Sequence, residues 1–144
     1  MDKFDRSHSQ GTYRLMRAEH LAVMAGSIGL ALSHWSELDP WRFAATFIVI
    51  DALGYAPGLV AYLHAGRGPI APAYHHAYNL LHSYLTWGVV ILAWAWLSGW
   101  EWAMLAVPIH LSGDRGLFGN VFKPAGRSFE PAPPPAAKER ASWN

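Results

Sequence analysis

Six polar residues interrupt the apolar stretches of this sequence at spacings that suit a metal site: Glu19, Asp51, Asn79, His82, His110 and Asp114. On a helix, residues three or four positions apart lie on one face, so His110 can act with Asp114 and Asn79 can act with His82. Neutral imidazole and carboxylate are common ligands of Zn and Fe. We therefore predict a site for a divalent metal, Zn or Fe, with four ligands: His82, His110, Asp114 and Asp51.

The same residues would support metal-dependent hydrolysis. A bound divalent cation makes water nucleophilic near neutral pH, and Glu19 or Asp51 would act as the general base. Asn79 and Arg115 are the candidate cofactor-binding residues, and Arg115 could hold an anionic headgroup. The sequence contains no cysteine, which excludes thiolate nucleophiles and thiolate-bound metals.

A purely structural interpretation of these polar residues stays open at this stage. Asp114 beside Arg115, and Glu19 near Arg17, could form ion pairs that join helix ends at a membrane interface. Two further histidines, His75 and His76, come at the start of an apolar stretch. We expect these two at the level of the lipid headgroups rather than among the metal ligands.

The composition indicates a membrane protein. Hydrophobic residues make up 52% of the 144 residues and charged residues only 15%, which is too apolar for an ordinary soluble domain of this size. Many of the tryptophans stand near the ends of apolar stretches, where amphipathic rings prefer the headgroup level. The net charge of +1 comes without a basic stripe, so we expect membrane lipids around the protein and no nucleic-acid partner.

The predicted fold is an all-α membrane protein, a bundle of four transmembrane helices with short loops. The apolar stretches cover residues 15–33, 41–63, 76–97 and 102–117. A polar N-terminal leader at residues 1–13 precedes this membrane domain at 14–123, and an extended Pro-rich tail at 124–144 follows it. Gly54, Pro57 and Gly58 should bend the second half of the second span.

The distribution of basic residues predicts the orientation. The leader, the second connection and the C-terminal side carry Lys and Arg, whereas the first and third connections are mainly acidic. The positive-inside rule then places both termini in the cytoplasm, and we expect a multi-pass protein of the bacterial inner membrane. At a rise of about 1.5 Å per residue, all four helices contribute an ionisable group to the cytoplasmic half of the bundle. The candidate site therefore faces the cytoplasm.

Four motifs follow one another on successive spans: Arg17-Ala-Glu19, Asp51 with Gly54-Tyr55, Tyr78-Asn79-Leu-Leu-His82, and His110-Leu-Ser-Gly-Asp114-Arg115. Together they resemble an uncharacterised family of small bacterial four-helix integral membrane proteins, defined by a domain of unknown function. The resemblance covers about residues 14–124 and implies a four-helix membrane fold. In placing His and Asp on short helices, the sequence is also loosely similar to membrane-bound metal-dependent hydrolases.

Two functions are open on the sequence alone. The first is a metal-dependent hydrolase that acts on a lipid-like or small hydrophobic substrate. The second is a non-catalytic accessory or assembly subunit of a larger membrane complex, in which other membrane subunits contact the tail. In that case the polar cluster would be structural, or it would bind a pigment or haem through one histidine.

Overall fold

The computed structural model describes residues 10–130, which fold into helices joined by short turns. In chain order the α-helices are α1 (Gln10–Ser33), α2 (Pro40–Gly54), α3 (Ala56–His64), α4 (Pro72–Leu81), α5 (Tyr84–Ser98) and α6 (Ala106–Gly113). A 3₁₀ turn at Trp102–Leu105 leads into α6, and a π-helical turn at Asp114–Phe118 follows it. The described residues contain no strand, so the all-α class is confirmed for them. Most of the predicted leader, and the tail beyond residue 130, lie outside the described residues.

Two helices are long and apolar enough to cross a membrane: Gly11–Ser33, and Pro40–His64, which joins α2 and α3. A third span is possible if α4 and α5 are taken together, although the pair is bent by 52°. No further helix within residues 10–130 passes the same test. The prediction of a membrane protein is thus supported, whereas the predicted bundle of four spans is not confirmed.

Residues 102–118 form the centre of the molecule instead of a lipid-facing span. α1 and α2 both pack against α6, and nearly all of residues 103–116 are buried. Small side chains permit this close packing. Gly116 lies so near α1 that an added Cβ would be 3.0 Å from the side chain of Leu21. The central position of this stretch brings His110 and Asp114 between the other helices.

The second span is interrupted where the sequence predicts a bend. α2 ends at Gly54 and α3 begins at Ala56, although the amide of Tyr55 still donates to the carbonyl of Asp51 at 2.9 Å. Pro57 has no N–H for the carbonyl four residues earlier, which explains why the regular helix stops here. The interruption comes within one turn of Asp51.

The predicted third span at residues 76–97 is not one straight helix, which corrects the sequence-based expectation. α4 already begins at Pro72, and the chain bends between α4 and α5 at His82 and Ser83. Ser83 caps α5, because its hydroxyl accepts a hydrogen bond from the amide of Leu85 at 3.2 Å. His82 therefore lies at a break and not on a continuous helical face with His75 and Asn79.

Two side chains compensate for the hydrogen bonds that this bend removes. The indole of Trp87 donates to the carbonyl of Leu81 at 2.6 Å, and the guanidinium of Arg115 donates to the carbonyl of His82 at 3.0 Å. Inside a membrane a freed carbonyl is costly unless it finds such a donor. Arg115 is itself buried, so it acts within the fold rather than at the surface.

A polar contact joins the start of α2 to the turn after α5. Arg42 donates to the carboxylate of Glu101 at 2.5 Å, and the indole of Trp94 donates to the same oxygen at 3.2 Å. The hydrogen bond from Arg42 lowers the pKa of Glu101, with a smaller contribution from Trp94. This contact explains why an arginine stands in an otherwise acidic part of the sequence.

Residues 119–130, which we call the strap, pack against α3, α4 and Tyr55, the residue between α2 and α3. Phe129 is 1% exposed and lies 5.9 Å from Tyr55 and 5.4 Å from His75 between ring centroids. The Asn79 amide donates to the carbonyl of Lys123 at 3.0 Å and accepts from its N–H at 2.7 Å. The predicted Pro-rich tail from residue 124 therefore begins as a packed segment, because it carries an aromatic residue that can be buried.

We predict that Gly58→Ala destabilises the protein, because a Cβ at this position would overlap the ring of Phe129. The cost should be about 1–3 kcal/mol, the usual range for overpacking. Gly88→Ala in α5 is the matched control, since nothing lies within 4 Å of its Cβ. Thermal unfolding in detergent should show a lower Tm for the first variant and an unchanged or higher Tm for the second. An equal Tm for Gly58→Ala and wild type would contradict the packing of the strap.

Candidate metal centre

Two imidazoles and two carboxylates meet between α2, the end of α4 and the central stretch. The Nε2 atom of His82 lies 3.2 Å from Asp51 Oδ1 and 3.5 Å from Asp114 Oδ2. The Nε2 atom of His110 lies 3.6 Å from each of the same two carboxylate oxygens. One donor atom from each of Asp51, His82 and His110 lies within 4.8 Å of the other two, so this group could hold a metal ion.

The spacing between these atoms suits a small cation. A tetrahedral ion with donors at about 2.1 Å has edges of about 3.4 Å between neighbouring donors. The four N–O distances in the cluster run from 3.2 to 3.6 Å. These four distances match four of the six edges of a tetrahedral site.

His82 is held in the orientation that a metal ligand needs. Its Nδ1 atom lies 3.1 Å from the carbonyl oxygen of Tyr78. A carbonyl can only accept a hydrogen bond, so Nδ1 carries a proton and donates it. The other nitrogen, Nε2, lies 3.2 Å from Asp51 Oδ1: it donates a hydrogen bond to this carboxylate when the ring is protonated on both nitrogens, and it presents its lone pair to a cation when the ring is neutral. The ring of Tyr78 stacks on the imidazole at 3.9 Å, and Gly54 approaches from the other helix. Such partners fix the tautomer and direction of metal-binding histidines.

His110 lacks hydrogen-bond partners altogether. Both ring nitrogens are buried without a partner, because 3.6 Å to the carboxylates is too long for a hydrogen bond. Leaving a buried polar group unsatisfied costs about 1–3 kcal/mol. Phe47 covers the ring edge-on at 4.6 Å. A cation at Nε2 would satisfy one of the two nitrogens, so the burial of His110 is the strongest single argument that this group could hold a metal.

The charges of the cluster also favour a cation. Asp51 lies near the middle of Pro40–His64, and its side chain is 51% exposed, whereas the side chain of Asp114 is 20% exposed. Carboxylates at membrane depth are costly unless they are paired. With neutral imidazoles the four side chains carry two negative charges, which one divalent cation would offset. The exposed side of Asp51 is the open side of the cluster.

Neither ion pair of the structural interpretation forms. Arg115 directs its guanidinium to the carbonyl of His82 and lies 4.6 Å above the ring of Tyr84. Arg17 donates to the carbonyls of Gly116 and Leu117 at 2.8 and 3.0 Å, so it joins α1 to the π-helical turn. These contacts leave the carboxylate of Asp114 to the two histidines.

Three predicted site residues lie outside the cluster, among them Arg115, whose buried guanidinium donates to the carbonyl of His82 and does not face a ligand at the surface. Glu19 is exposed on α1 and makes no hydrogen bond or ion pair with the described residues, because α1 turns His20 towards Tyr84 instead. Asn79 is occupied by the backbone of Lys123. We expected an ionisable group from each of the four spans, but α1 contributes no side chain to the cluster.

The two adjacent histidines of α4 also stay apart from the cluster. His75 is buried beneath the strap, contrary to the expected headgroup position, and its Nε2 atom lies 3.1 Å from the carbonyl of Arg127. His76 is exposed. Sequence reasoning missed the supporting roles of Gly54 and Arg17. The one available signal was Gly54, whose spacing of three residues from Asp51 fits a close approach beside the site.

No protein-family model, curated protein or solved structure matches this chain. The resemblance to four-helix membrane proteins of unknown function therefore stays a prediction. What the protein does has to be inferred from the geometry of its own residues.

We predict that Gly54→Ala weakens metal binding. An added Cβ would lie 3.0 Å from the Nδ1 and Cε1 atoms of His82, so the imidazole would have to move. Disturbing the support of a ligand typically lowers metal affinity about 10- to 100-fold. Competition with a chromophoric chelator would measure the change, and Gly26→Ala, whose Cβ meets nothing within 4 Å, is the control. Wild-type affinity in Gly54→Ala would show that the position of His82 is not set by this contact.

Proposed function

We propose that this chain is a multi-pass protein of the bacterial inner membrane, with both termini in the cytoplasm, that binds one divalent cation. Asp51, His82 and His110 would hold the cation, with Asp114 as the fourth donor. Zn or Fe suits this set of imidazoles and carboxylates. The observation that carries the proposal is the pair of buried Nε2 atoms that face the same two carboxylates at 3.2–3.6 Å.

The activity that this arrangement supports best is hydrolysis of an ester in a lipid-like substrate. A divalent cation would make water nucleophilic near neutral pH. In this role Asp114 would not bind the cation: its free carboxylate would accept a proton from the attacking water as the oxygen–carbon bond forms, and would return it to the alcohol oxygen as the ester bond breaks. The substrate would approach over the half-exposed side of Asp51, which lies near the middle of a membrane-spanning helix. Glu19 is exposed and makes no hydrogen bond or ion pair with the described residues, so it is not placed to act as the base.

A non-catalytic metal site is the second candidate, and one observation favours it. The cluster has four donor side chains that face one another. If all four bind the ion, no position is left for water, as in structural zinc sites. The protein would then be an accessory or assembly subunit of a membrane complex. A haem or pigment fits less well than a bare ion, because both Nε2 atoms already face carboxylates.

We predict about one equivalent of Zn or Fe in the purified protein and a loss of most of it in His82→Ala and His110→Ala. Each substitution removes one of the two nitrogen donors. His76→Ala is the matched control, because His76 is exposed on the same helix that ends at His82. Elemental analysis by mass spectrometry gives the stoichiometry. Negligible metal in the wild type after growth with added metal, or unchanged metal in both alanine variants, would refute the metal site.

A second prediction separates the enzyme from the subunit. The metal-loaded protein in lipid nanodiscs should hydrolyse a fluorogenic lipid ester, and Asp114→Asn should lower kcat by about 10²- to 10⁴-fold, the usual contribution of a general base. Metal content measured on the same samples shows whether the variant still binds the ion. Full metal occupancy without hydrolysis of the lipid ester would support the accessory role and not the hydrolase.

A further inference from the structure

A pocket of about 260 Å³ lies between the strap and the connection from α3 to α4. The connection contributes Arg67 and Gly68 to its wall, and the strap contributes Gly126, Arg127 and Ser128. None of these residues belongs to the metal cluster. The pocket is therefore a separate site, and its two arginines set its chemistry.

The guanidinium groups of Arg67 and Arg127 have no acidic partner among the described residues. The connection at residues 65–71 contains no Asp or Glu. Glu130, the one carboxylate of the strap, pairs with Lys123 at 2.9 Å. Two like charges thus line one pocket without compensation within residues 10–130, which favours the binding of an anion.

The backbone of Arg67 adds an independent observation. Its φ of 64° is left-handed, and no other non-glycine residue in the described part of the chain has a positive φ. Glycine would adopt this conformation without strain, as the neighbouring Gly66 does with a φ of 62°. Strained backbone positions of this kind cluster at binding sites, where the surrounding structure maintains them.

The strap wall of the pocket is fixed in place. The carbonyl of Arg127 lies 3.1 Å from Nε2 of His75, and the hydroxyl of Ser128 donates to Tyr62 at 3.3 Å. Burial of Phe129 anchors the same segment. Because the backbone of Arg127 and the side chains of Ser128 and Phe129 are held, this wall of the pocket needs little ordering when a ligand binds.

We propose that this pocket binds a phosphate group. Guanidinium groups recognise phosphate through paired, charge-assisted hydrogen bonds, and two of them suit one phosphate better than one carboxylate. The predicted orientation places this connection on the cytoplasmic side, at the level of the headgroups. The phosphate belongs either to an anionic phospholipid or to a soluble molecule, and the two sources are separated by experiment.

The test uses the full-length protein and three variants with the same loss of charge: Arg67→Gln, Arg127→Gln and, as the control, Arg14→Gln. Arg14 is exposed on α1, away from the pocket. In one arm, native mass spectrometry measures retention of phosphatidylglycerol against phosphatidylcholine. In the other arm, calorimetry in phosphatidylcholine nanodiscs measures binding of inorganic phosphate.

We expect Arg67→Gln and Arg127→Gln each to weaken binding about tenfold or more in the arm where wild type binds, with Arg14→Gln unchanged. Binding in the lipid arm alone identifies a headgroup, and binding in the phosphate arm identifies a soluble source. Absence of binding in both arms, or an equal loss in Arg14→Gln, overturns the proposal.

A further variant separates binding from folding. Arg67→Gly removes the charge and also relieves the left-handed backbone, so we expect a higher Tm together with weaker phosphate binding. Its metal content should equal that of wild type, since the pocket shares no residue with the metal cluster. Wild-type phosphate affinity in Arg67→Gly would overturn the proposal.

Discussion

The fold depends on two carboxylates that face two buried imidazoles inside an assembly of apolar helices. Removing a charged group from water costs several kcal/mol unless a partner compensates for it. Three irregularities of the neighbouring helices lie beside these side chains. α2 stops within a turn of Asp51, α4 ends at the residue before His82, and the π-helical turn begins at Asp114. Departures of this kind are frequent at functional sites, because they redirect side chains that a regular helix would place elsewhere.

The contacts around the cluster form a second layer that supports it. Arg115 compensates the carbonyl at the bend and thereby stabilises the break that positions His82. Tyr78 both accepts from the His82 imidazole through its carbonyl and stacks on that ring. Phe129 packs edge-on against Tyr78 at 6.2 Å, so the strap is in contact with the same support. The strap is therefore connected to His82 through the ring of Tyr78.

The sequence was sufficient to find Asp51, His82, His110 and Asp114, because ionisable residues within apolar spans must turn towards other protein. Depth along a helix does not give the direction of a side chain, which is why Glu19 was included wrongly in the set of converging residues. The bend at His82 depends on Arg115, a donor 33 residues away along the chain, so no local pattern predicts it. Hydropathy likewise cannot distinguish a lipid-facing span from the mostly buried stretch at residues 103–116.

The central claim is that His82, His110 and the two carboxylates surround one cation. X-ray absorption spectroscopy at the metal edge of the Zn-loaded protein tests it most directly, because imidazole gives a distinct multiple-scattering signal. We predict two imidazole nitrogens and two oxygens at about 2.0–2.2 Å in wild type, with one imidazole in His82→Ala. A coordination sphere of oxygens alone, or a signal that does not change in this variant, would contradict the account.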